Sequence, residues 1–328
     1  MDIGAETTSI FIKKDEHMGK LIDGKWVVQS VMTTDTTGSY KRIPRTFRHF
    51  IQPSDPIFQP ESGRYHLYVS YACPWAHRTL IYRKLKDLER HITVSVVSPD
   101  MLDDGWVFDE TFPGSTKDHL YGTTKLRDIY IKAEKDISTS VTVPVLWDRK
   151  TESIVNNESS EIIRMFNKSF DAITGNTNDY YPESLQKQID ELNDYIYPNI
   201  NNGVYRTGFA KTQQAYNNSV DNLFLALDKL EQRLQNQTFL LGEQITEADL
   251  RLIPTLIRFD VVYVGHFKCN KRRIKDYPHL SRYLRHAYES IEAIKQTTYL
   301  DHIKRHYYYS HPSINPYRII PQGPDEIF

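Results

Sequence analysis

Hydrophobic and polar residues alternate along two short stretches in the first half of the chain, which predicts β-strands there. "RYHLYVS" at 64–70 and "HITVSVVS" at 91–98 are both rich in strand-forming residues. Between them, "WAHRTLIYRKLKDLER" at 75–90 places apolar residues three and four positions apart, which is typical of a helix. A strand, a helix and a strand in this order form a βαβ unit, so we expect the two strands to be parallel.

A second group of elements follows a long connection at about 99–135, which we expect to be a loop that ends in a short helix. "VTVPVLW" and "SIV" are strand-like, and "NNESSE" is typical of the start of a helix. Proline donates no hydrogen bond to a sheet, so Pro144 indicates either an edge position or a cis peptide. These elements complete a small α/β domain, which we place at 61–172.

The rest of the chain has the spacing of helices. One apolar stripe consists of Val220, Leu223, Leu227, Leu230 and Leu234. We therefore predict an all-helical domain at 180–328 with an irregular C-terminal tail, joined through the linker-like "DAITGNTNDYYPES". Residues 1–60 have weak periodicity and many Thr, Gly, Pro and Asp residues, which predicts an irregular extension.

Composition and charge exclude several functional classes. The chain has 328 residues, of which 39% are hydrophobic, and its net charge is -1, so no general electrostatic field favours nucleic acid or an anionic membrane. No apolar run is long enough to span a membrane, and the N-terminus does not resemble a signal peptide, which predicts a cytoplasmic protein. Two cysteines without paired spacing argue against both a disulfide framework and a zinc site.

One of these cysteines has the sequence context of a nucleophile. Cys73 comes directly after a predicted strand, and Pro74 then occupies a favourable first position of the next helix. Free backbone N–H groups and the helix dipole stabilise a thiolate at such a position, so we expect the pKa of Cys73 to fall. A buried, inert thiol is the alternative.

The chain offers no nearby thiol to resolve a disulfide formed at Cys73. In a Cys-x-x-Cys motif a second cysteine would stand at the fourth position, but this chain has Ala76. An external thiol must therefore release any group bound to Cys73. We expect Cys269 to be structural, with a resolving or regulatory role as the alternative.

The order of these motifs resembles the cytosolic glutathione transferases, and "CPWAHR" with its alanine is similar to the omega-like branch. The likeness to the xi class, the glutathionyl-hydroquinone reductases, is more specific and covers residues 18 to 315. It rests on seven motifs in order, "YHLYVSYACPWAHRTLI", "DGWVF", "VTVPVLWD", "NNESSEIIRMFN", "NNGVYRTGFA", "TEADLRL" and "VGHFKCNKRRIKDYP".

This resemblance implies an α/β thioredoxin-like N-terminal domain followed by an all-α C-terminal domain, with glutathione as co-substrate and no metal. It implies Cys73 as the nucleophile. The positions implied for glutathione contacts are Trp106 along the molecule, Arg127 at its glycine end, Val143 with Pro144 for backbone pairing, and Glu158 with Ser159 for the γ-glutamyl group. The last two are also ordinary helix-capping residues, and Trp106 could instead cover the edge of the core.

The resemblance further implies that Tyr205 and Tyr307 face an aromatic acceptor, although a one-residue slip within "YYY" leaves Tyr308 open. The implied reaction is the glutathione-dependent reduction of glutathionyl-hydroquinones through a mixed disulfide between Cys73 and glutathione, with release of oxidised glutathione. A homodimer is also implied.

Two other functions remain open at this point. A general thioltransferase or dehydroascorbate reductase needs Cys73 but not the tyrosine pair. A noncatalytic binding module on the same fold needs neither, and its thiol would have an ordinary pKa. A channel-like relative that inserts into membranes is a weaker alternative, because the first domain has no convincing amphipathic or spanning segment.

Overall fold

The computed structural model describes residues 19–28 and 33–328, and it begins with a hairpin. Strands β1 (Gly19–Ile22) and β2 (Lys25–Val28) pair antiparallel. The prediction of an irregular extension is therefore wrong at 19–28, whereas 33–60 contains no helix or named strand. Residues 1–18 and 29–32 lie outside the described residues. Four-residue strands are too short to give a clear periodic signal. Trp26 on β2 holds the hairpin to the body, since its indole N–H donates to the Asp103 carbonyl over 2.8 Å.

A four-stranded mixed sheet forms the centre of the first half. Its strands are β3 (Tyr65–Val69), β4 (Ile92–Val96), β5 (Val145–Asp148) and β6 (Ser153–Asn156), in the order β4-β3-β5-β6. Strands β3 and β4 are parallel, which confirms the predicted βαβ unit, and the other two pairings are antiparallel. All five residues of β3 are buried, because the chain covers the sheet on both faces.

Four helices accompany the sheet, namely α1 (Pro74–Leu85), α2 (Leu126–Ala133), α3 (Ser159–Lys168) and α4 (Asp171–Thr174). The long connection does end in a short helix, as predicted. The helix predicted at "NNESSE" is α3. Helix α4 lies at the start of the stretch that was predicted to be a linker.

All regular secondary structure described in the second half of the chain is helical. They are α5 (Gln186–Ile196), α6 (Gly203–Gly208), α7 (Gln213–Arg233), α8 (Glu247–Arg258), α9 (Pro278–Ser290), α10 (Glu292–Lys295) and α11 (Leu300–Tyr309), with π-helical turns at Tyr197–Asn201 and Phe259–Tyr263. The five apolar residues of the predicted stripe along α7 and the turn after it are all buried. Within the described ranges, every helix is too short or too polar to cross a membrane.

The two halves meet where α1 packs against α8. The buried guanidinium of Arg258, at the end of α8, donates to the carbonyls of Tyr71 and Ala72 over 3.0 and 2.8 Å. It also donates to the Pro254 carbonyl over 2.8 Å. A side chain of the helical half therefore fixes the turn that leads into Cys73.

We expect Arg258→Met to lower the free energy of unfolding by about 3 kcal/mol, because three buried carbonyls each lose a donor. Urea denaturation followed by circular dichroism measures this change. Arg258→Lys keeps the charge but not the forked geometry, so an intermediate loss is expected. Arg272→Met, in an exposed ion pair, is the matched control and should cost less than about 0.5 kcal/mol. Equal stability of Arg258→Met and Arg272→Met would contradict the assigned role.

Candidate active site

Cys73 lies at the N-terminus of α1, as its sequence context predicts. Its backbone is extended, with φ -78° and ψ 121°, and Pro74 is the first helical residue. The half-buried thiol opens into a cleft between the two halves of the chain. The sulfur is 3.7 Å from the carbonyl oxygen of Val143, which lies two residues before the sheet strand β5.

The cleft brings together most of the residues predicted to act on a substrate. It encloses about 970 Å³, including its open mouth. Cys73, Trp106 and Val143 line it from the first half of the chain, and Tyr205 and Tyr307 line it from the second. A thiol and two phenols therefore share one space, although more than 130 positions separate Cys73 from either tyrosine in sequence.

The expected fall in the pKa of Cys73 is not what the structure gives. Desolvation by burial raises the pKa of the thiol and outweighs four groups that lower it. These groups are the backbone N–H groups of Ala76 and Trp75 at the start of α1 and the positive charges of Arg258 and Arg42. The helix N-terminus thus acts in the predicted direction, but the sequence did not reveal how deeply the fold buries the sulfur.

A narrower recess adjoins the cleft and contains the other predicted glutathione contacts. Val143, Pro144, Glu158 and Ser159 line it, and the Val143–Pro144 peptide is cis. Val143 lines both spaces, so its backbone lies between the sulfur of Cys73 and the N-terminus of α3. A peptide held along Val143 would connect the two.

Charges of both signs surround this recess. Burial by itself would raise the pKa of Glu158. This effect is outweighed by hydrogen bonds from the N–H and hydroxyl of Ser160 and by the charges of Arg45 and Arg78, so the pKa lies below its usual value. Glu158 is therefore an anion that can meet an ammonium group. Behind Ser159, the buried guanidinium of Arg78 is 3.5 Å from the Ser159 hydroxyl, and burial lowers its pKa to about 9. A carboxylate at the Ser159 end would relieve this buried positive charge.

The hydroxyls of Tyr205 and Tyr307 belong to a hydrogen-bonded group of three tyrosines. The hydroxyls of Tyr205 and Tyr307 are 2.6 Å apart, and that of Tyr263 is 2.9 Å from Tyr307. Burial and the nearby Cys73 raise the pKa of Tyr205 to about 12. Arg42 and the hydrogen bond from Tyr307 lower this pKa but do not offset the increase. Of the two tyrosines left open in the sequence, Tyr307 lines the cleft, whereas Tyr308 packs against His266 with 5.0 Å between ring centroids.

Arg127 is the one predicted contact that the structure brings to neither the cleft nor the recess. Its guanidinium pairs with the Asp104 carboxylate over 2.8 Å and covers the ring of Trp26 at 4.8 Å. Trp26 lines the cleft and Arg127 does not, so the ring of Trp26 lies between Arg127 and the cleft. The glycine-end role of Arg127 stays a prediction.

The fold also places around the cleft several residues that no sequence motif identified. The ring of Trp106 stacks on His306 at 4.9 Å, and burial lowers the pKa of His306 to about 4, so this imidazole is neutral. His311 lines the same wall. His306 and His311 lie on either side of the "YYY" segment, but nothing in the sequence marked these two positions.

The predicted extension contributes two cations, Arg42 and Arg45, which line both the cleft and the recess. The Arg42 guanidinium lies 4.8 Å from the ring of Trp75 and 5.0 Å from that of Tyr205, and it donates to Asn202 over 3.0 Å. No sequence signal identified these arginines, because the extension lacks periodicity and its path over the body depends on tertiary contacts.

The second thiol, at Cys269, lies away from the cleft. Cys269 is fully buried, and burial raises its pKa well above the usual value, which fits the structural role expected for it. Over residues 19–28 and 33–328, no group of three or more His, Cys, Asp or Glu side chains is arranged to hold a metal ion.

Comparison with known proteins identifies the family. The model of the glutathione S-transferase N-terminal domain matches residues 72–169, and that of the C-terminal domain matches 213–286. The crystal structure of the glutathione S-transferase Xi from Phanerochaete chrysosporium has a TM-score of 0.88 and 53% identity, covering 90% of this chain and 96% of that one. The chain belongs to the xi class of glutathione transferases.

Two named reductases are close relatives of this xi-class chain. Glutathionyl-hydroquinone reductase YqjG of Escherichia coli strain K12 is 52% identical over 314 residues, covering 94% of this chain and 95% of YqjG. The glutathione-bound structure of YqjG has a TM-score of 0.85 and covers 93% of this chain and 96% of that one. Glutathionyl-hydroquinone reductase PcpF of Sphingobium chlorophenolicum is 47% identical over 309 residues, covering 94% and 96%.

The cation at Arg42 should control the reactivity of Cys73 in this xi-class chain. We expect Arg42→Met to raise the pKa of the thiol further and to slow its alkylation by iodoacetamide about threefold to tenfold near neutral pH. In both proteins the rate should rise with pH across the neutral range, because the raised pKa leaves the thiol mostly protonated there. Mass spectrometry of the labelled peptide follows the rate at Cys73 alone.

Arg42→Lys keeps the positive charge and should stay near the wild-type alkylation rate, whereas Arg272→Met controls for the loss of a remote charge. Equal rates in Arg42→Met and the wild type, or a rate that is already constant below pH 7, would contradict this account of the thiol.

Proposed function

We propose that this protein is a glutathionyl-hydroquinone reductase, an enzyme that uses glutathione to remove the glutathionyl group from hydroquinone conjugates. The observation with most weight is one cleft that holds the thiol of Cys73 opposite the hydroxyls of Tyr205 and Tyr307. The chain is 52% identical to YqjG and 47% identical to PcpF, in each case over 94% of its length, and this similarity supports the same function.

The glutathionyl group of the substrate lies along the first half of the chain in this proposal. Glu158 binds its ammonium group, while Ser159 and the charge of Arg78 bind the adjacent carboxylate at the start of α3. The backbone of Val143, which lines the cleft and the recess, pairs with the cysteinyl part, as a neighbouring strand would. This placement brings the substrate sulfur towards Cys73, since Val143 lines both spaces.

In the first step, the Cys73 thiolate attacks the glutathionyl sulfur, and a disulfide bond forms as the bond between that sulfur and the ring carbon breaks. The electron pair of the broken bond goes to the ring. Tyr205 and Tyr307 hold the ring hydroxyls and supply the proton that completes the free hydroquinone. Such acid catalysis contributes about 10² to 10⁴ in rate.

In the second step, the thiolate of a second glutathione attacks the mixed disulfide at its glutathionyl sulfur. Cys73 leaves as a thiolate, and oxidised glutathione is released. The overall balance is one conjugate and one glutathione in, one hydroquinone and one oxidised glutathione out. Ala76 stands where an internal resolving thiol would be, so glutathione itself must complete the cycle.

The proposal includes a setting for the enzyme. The near-neutral charge and two unpaired thiols favour a cytoplasmic location, and family membership favours a homodimer. We also propose the domain division at 61–172 and 180–328, within which the matched ranges 72–169 and 213–286 fall.

A mixed disulfide at Cys73 is the intermediate to be detected. After one equivalent of glutathionyl-benzohydroquinone, and before any free glutathione, mass spectrometry should find a glutathione adduct on the peptide with Cys73. Added glutathione should remove the adduct, and Cys73→Ala should show neither adduct nor turnover. Cys269→Ala is the matched thiol control and should still form it. An unmodified Cys73 after hydroquinone release would contradict the scheme, and an inert protein would favour the binding module.

Replacing the cleft tyrosines should separate hydroquinone chemistry from simple thiol exchange. We expect Tyr205→Phe and Tyr307→Phe each to slow the reduction of glutathionyl-benzohydroquinone about 10²-fold, because the departing ring loses its proton donor. Reduction of a small glutathione mixed disulfide should change little, since its leaving thiolate needs no such acid. Equal losses on both substrates would favour the general thioltransferase function instead.

A further inference from the structure

The third tyrosine of the hydroxyl cluster lies outside the cleft. Tyr263 is fully buried at the end of the π-helical turn that follows α8, whereas Tyr205 and Tyr307 line the cleft. Its ring stacks on Phe267 at 5.4 Å and meets Tyr307 edge-on at 5.4 Å. The packing holds its hydroxyl 2.9 Å from that of Tyr307.

The three hydroxyls have three hydrogens but only two bonds between them. Tyr307 is in the middle, 2.9 Å from Tyr263 and 2.6 Å from Tyr205. One hydrogen is therefore left over, and it must belong to one of the three. Among the described residues, the Tyr263 hydroxyl forms one hydrogen bond, which is to that of Tyr307.

The burial of Tyr263 shows that the hydrogen without a partner in the group cannot be the hydrogen of Tyr263. If Tyr263 kept it, a buried donor would have no acceptor, which is unfavourable by about 1 to 3 kcal/mol. Tyr263 must then donate to Tyr307. The spare hydrogen belongs to Tyr205 or Tyr307, either of which can direct it into the cleft.

Two observations favour Tyr205. It is half-buried, whereas the Tyr307 side chain is only 2% exposed, so Tyr205 has more room to reach a ligand. The cation of Arg42 also lies 5.0 Å from the Tyr205 ring and lowers the pKa of its hydroxyl. Negative charge left after proton transfer is thus better stabilised on Tyr205.

We propose that Tyr263 is a positioning residue that sets the direction of this hydroxyl chain. Tyr263 donates to Tyr307, Tyr307 donates to Tyr205, and the hydrogen of Tyr205 is the one delivered to the departing hydroquinone ring. This inference rests on the proposed function and assigns different roles to the two cleft tyrosines. When Tyr205 gives up its proton, Tyr307 already donates to the oxygen that becomes negative, and Tyr263 supports Tyr307 in turn.

The test is the single-turnover release of hydroquinone from glutathionyl-hydroquinones whose rings carry different numbers of chlorine atoms. Tyr263→Phe should slow release about fivefold to tenfold for the unsubstituted ring, because Tyr307 is no longer held as the donor to Tyr205. The loss should shrink as chlorination makes the ring a better leaving group. A purely structural defect would slow all substrates equally.

A double substitution identifies the donor. In a Tyr205→Phe background, Tyr263→Phe should add no further loss, since the chain no longer ends in a proton donor. If Tyr307 were the donor, Tyr263→Phe would still slow the Tyr205→Phe enzyme, and the proposed direction would be overturned.

Tyr82→Phe is the matched control. Tyr82 is also fully buried, but its hydroxyl has no hydrogen-bond partner among the described residues, so its removal should leave the leaving-group dependence unchanged. Thermal unfolding confirms that each variant is folded. If the wild type released no hydroquinone, the proposed function itself would fail. If the wild type is active but Tyr263→Phe behaves like Tyr82→Phe, only the inference about Tyr263 is overturned.

Discussion

The site depends on the hydrogen bonds from Arg258 to the turn before Cys73. Its guanidinium reaches from the end of α8 to the carbonyls of Tyr71 and Ala72, so the helical half determines where α1 begins. Arg258 also adds a positive charge near the sulfur. One buried side chain of the helical half thus helps to set both the position of Cys73 and the charge around it, and neither half alone would complete the site.

Burial of the sulfur has a chemical consequence that opposes the helix N-terminus. Desolvation favours the neutral thiol, while the N–H groups of Ala76 and Trp75 and two arginines favour the thiolate. A desolvated thiolate is costly to form but is surrounded by groups that stabilise it. The enzyme in our proposal therefore gains rate with rising pH, and Arg42, from the N-terminal extension, becomes part of the nucleophile's environment.

Features encoded over a few residues could be predicted from the sequence, such as the βαβ unit, Cys73 before Pro74 and the apolar stripe along α7. Family resemblance supplied Trp106, Val143 and the two cleft tyrosines, which periodicity alone does not mark. The direction of the Cys73 pKa could not be predicted, because it depends on how many atoms the fold packs around the sulfur. Arg42 was missed because no local signal in the sequence fixes the path of the extension. Tyr263 was missed because a tyrosine in an apolar helical segment is indistinguishable from a core residue.

The arrangement of the cleft also explains why two halves are needed for one bond cleavage. Breaking a bond between sulfur and a ring carbon requires a nucleophile on the sulfur side and an acid on the ring side. In this structure the first half contains Cys73 and the recess suited to a peptide, and the second half contains all three phenols. The glutathionyl group is the same in every substrate of this kind. A substrate with a different hydroquinone ring would therefore require changes only in the helical half. That half contains Tyr205 and Tyr307, which hold the ring hydroxyls in our proposal, so the specificity for the acceptor can vary there without altering how glutathione is held.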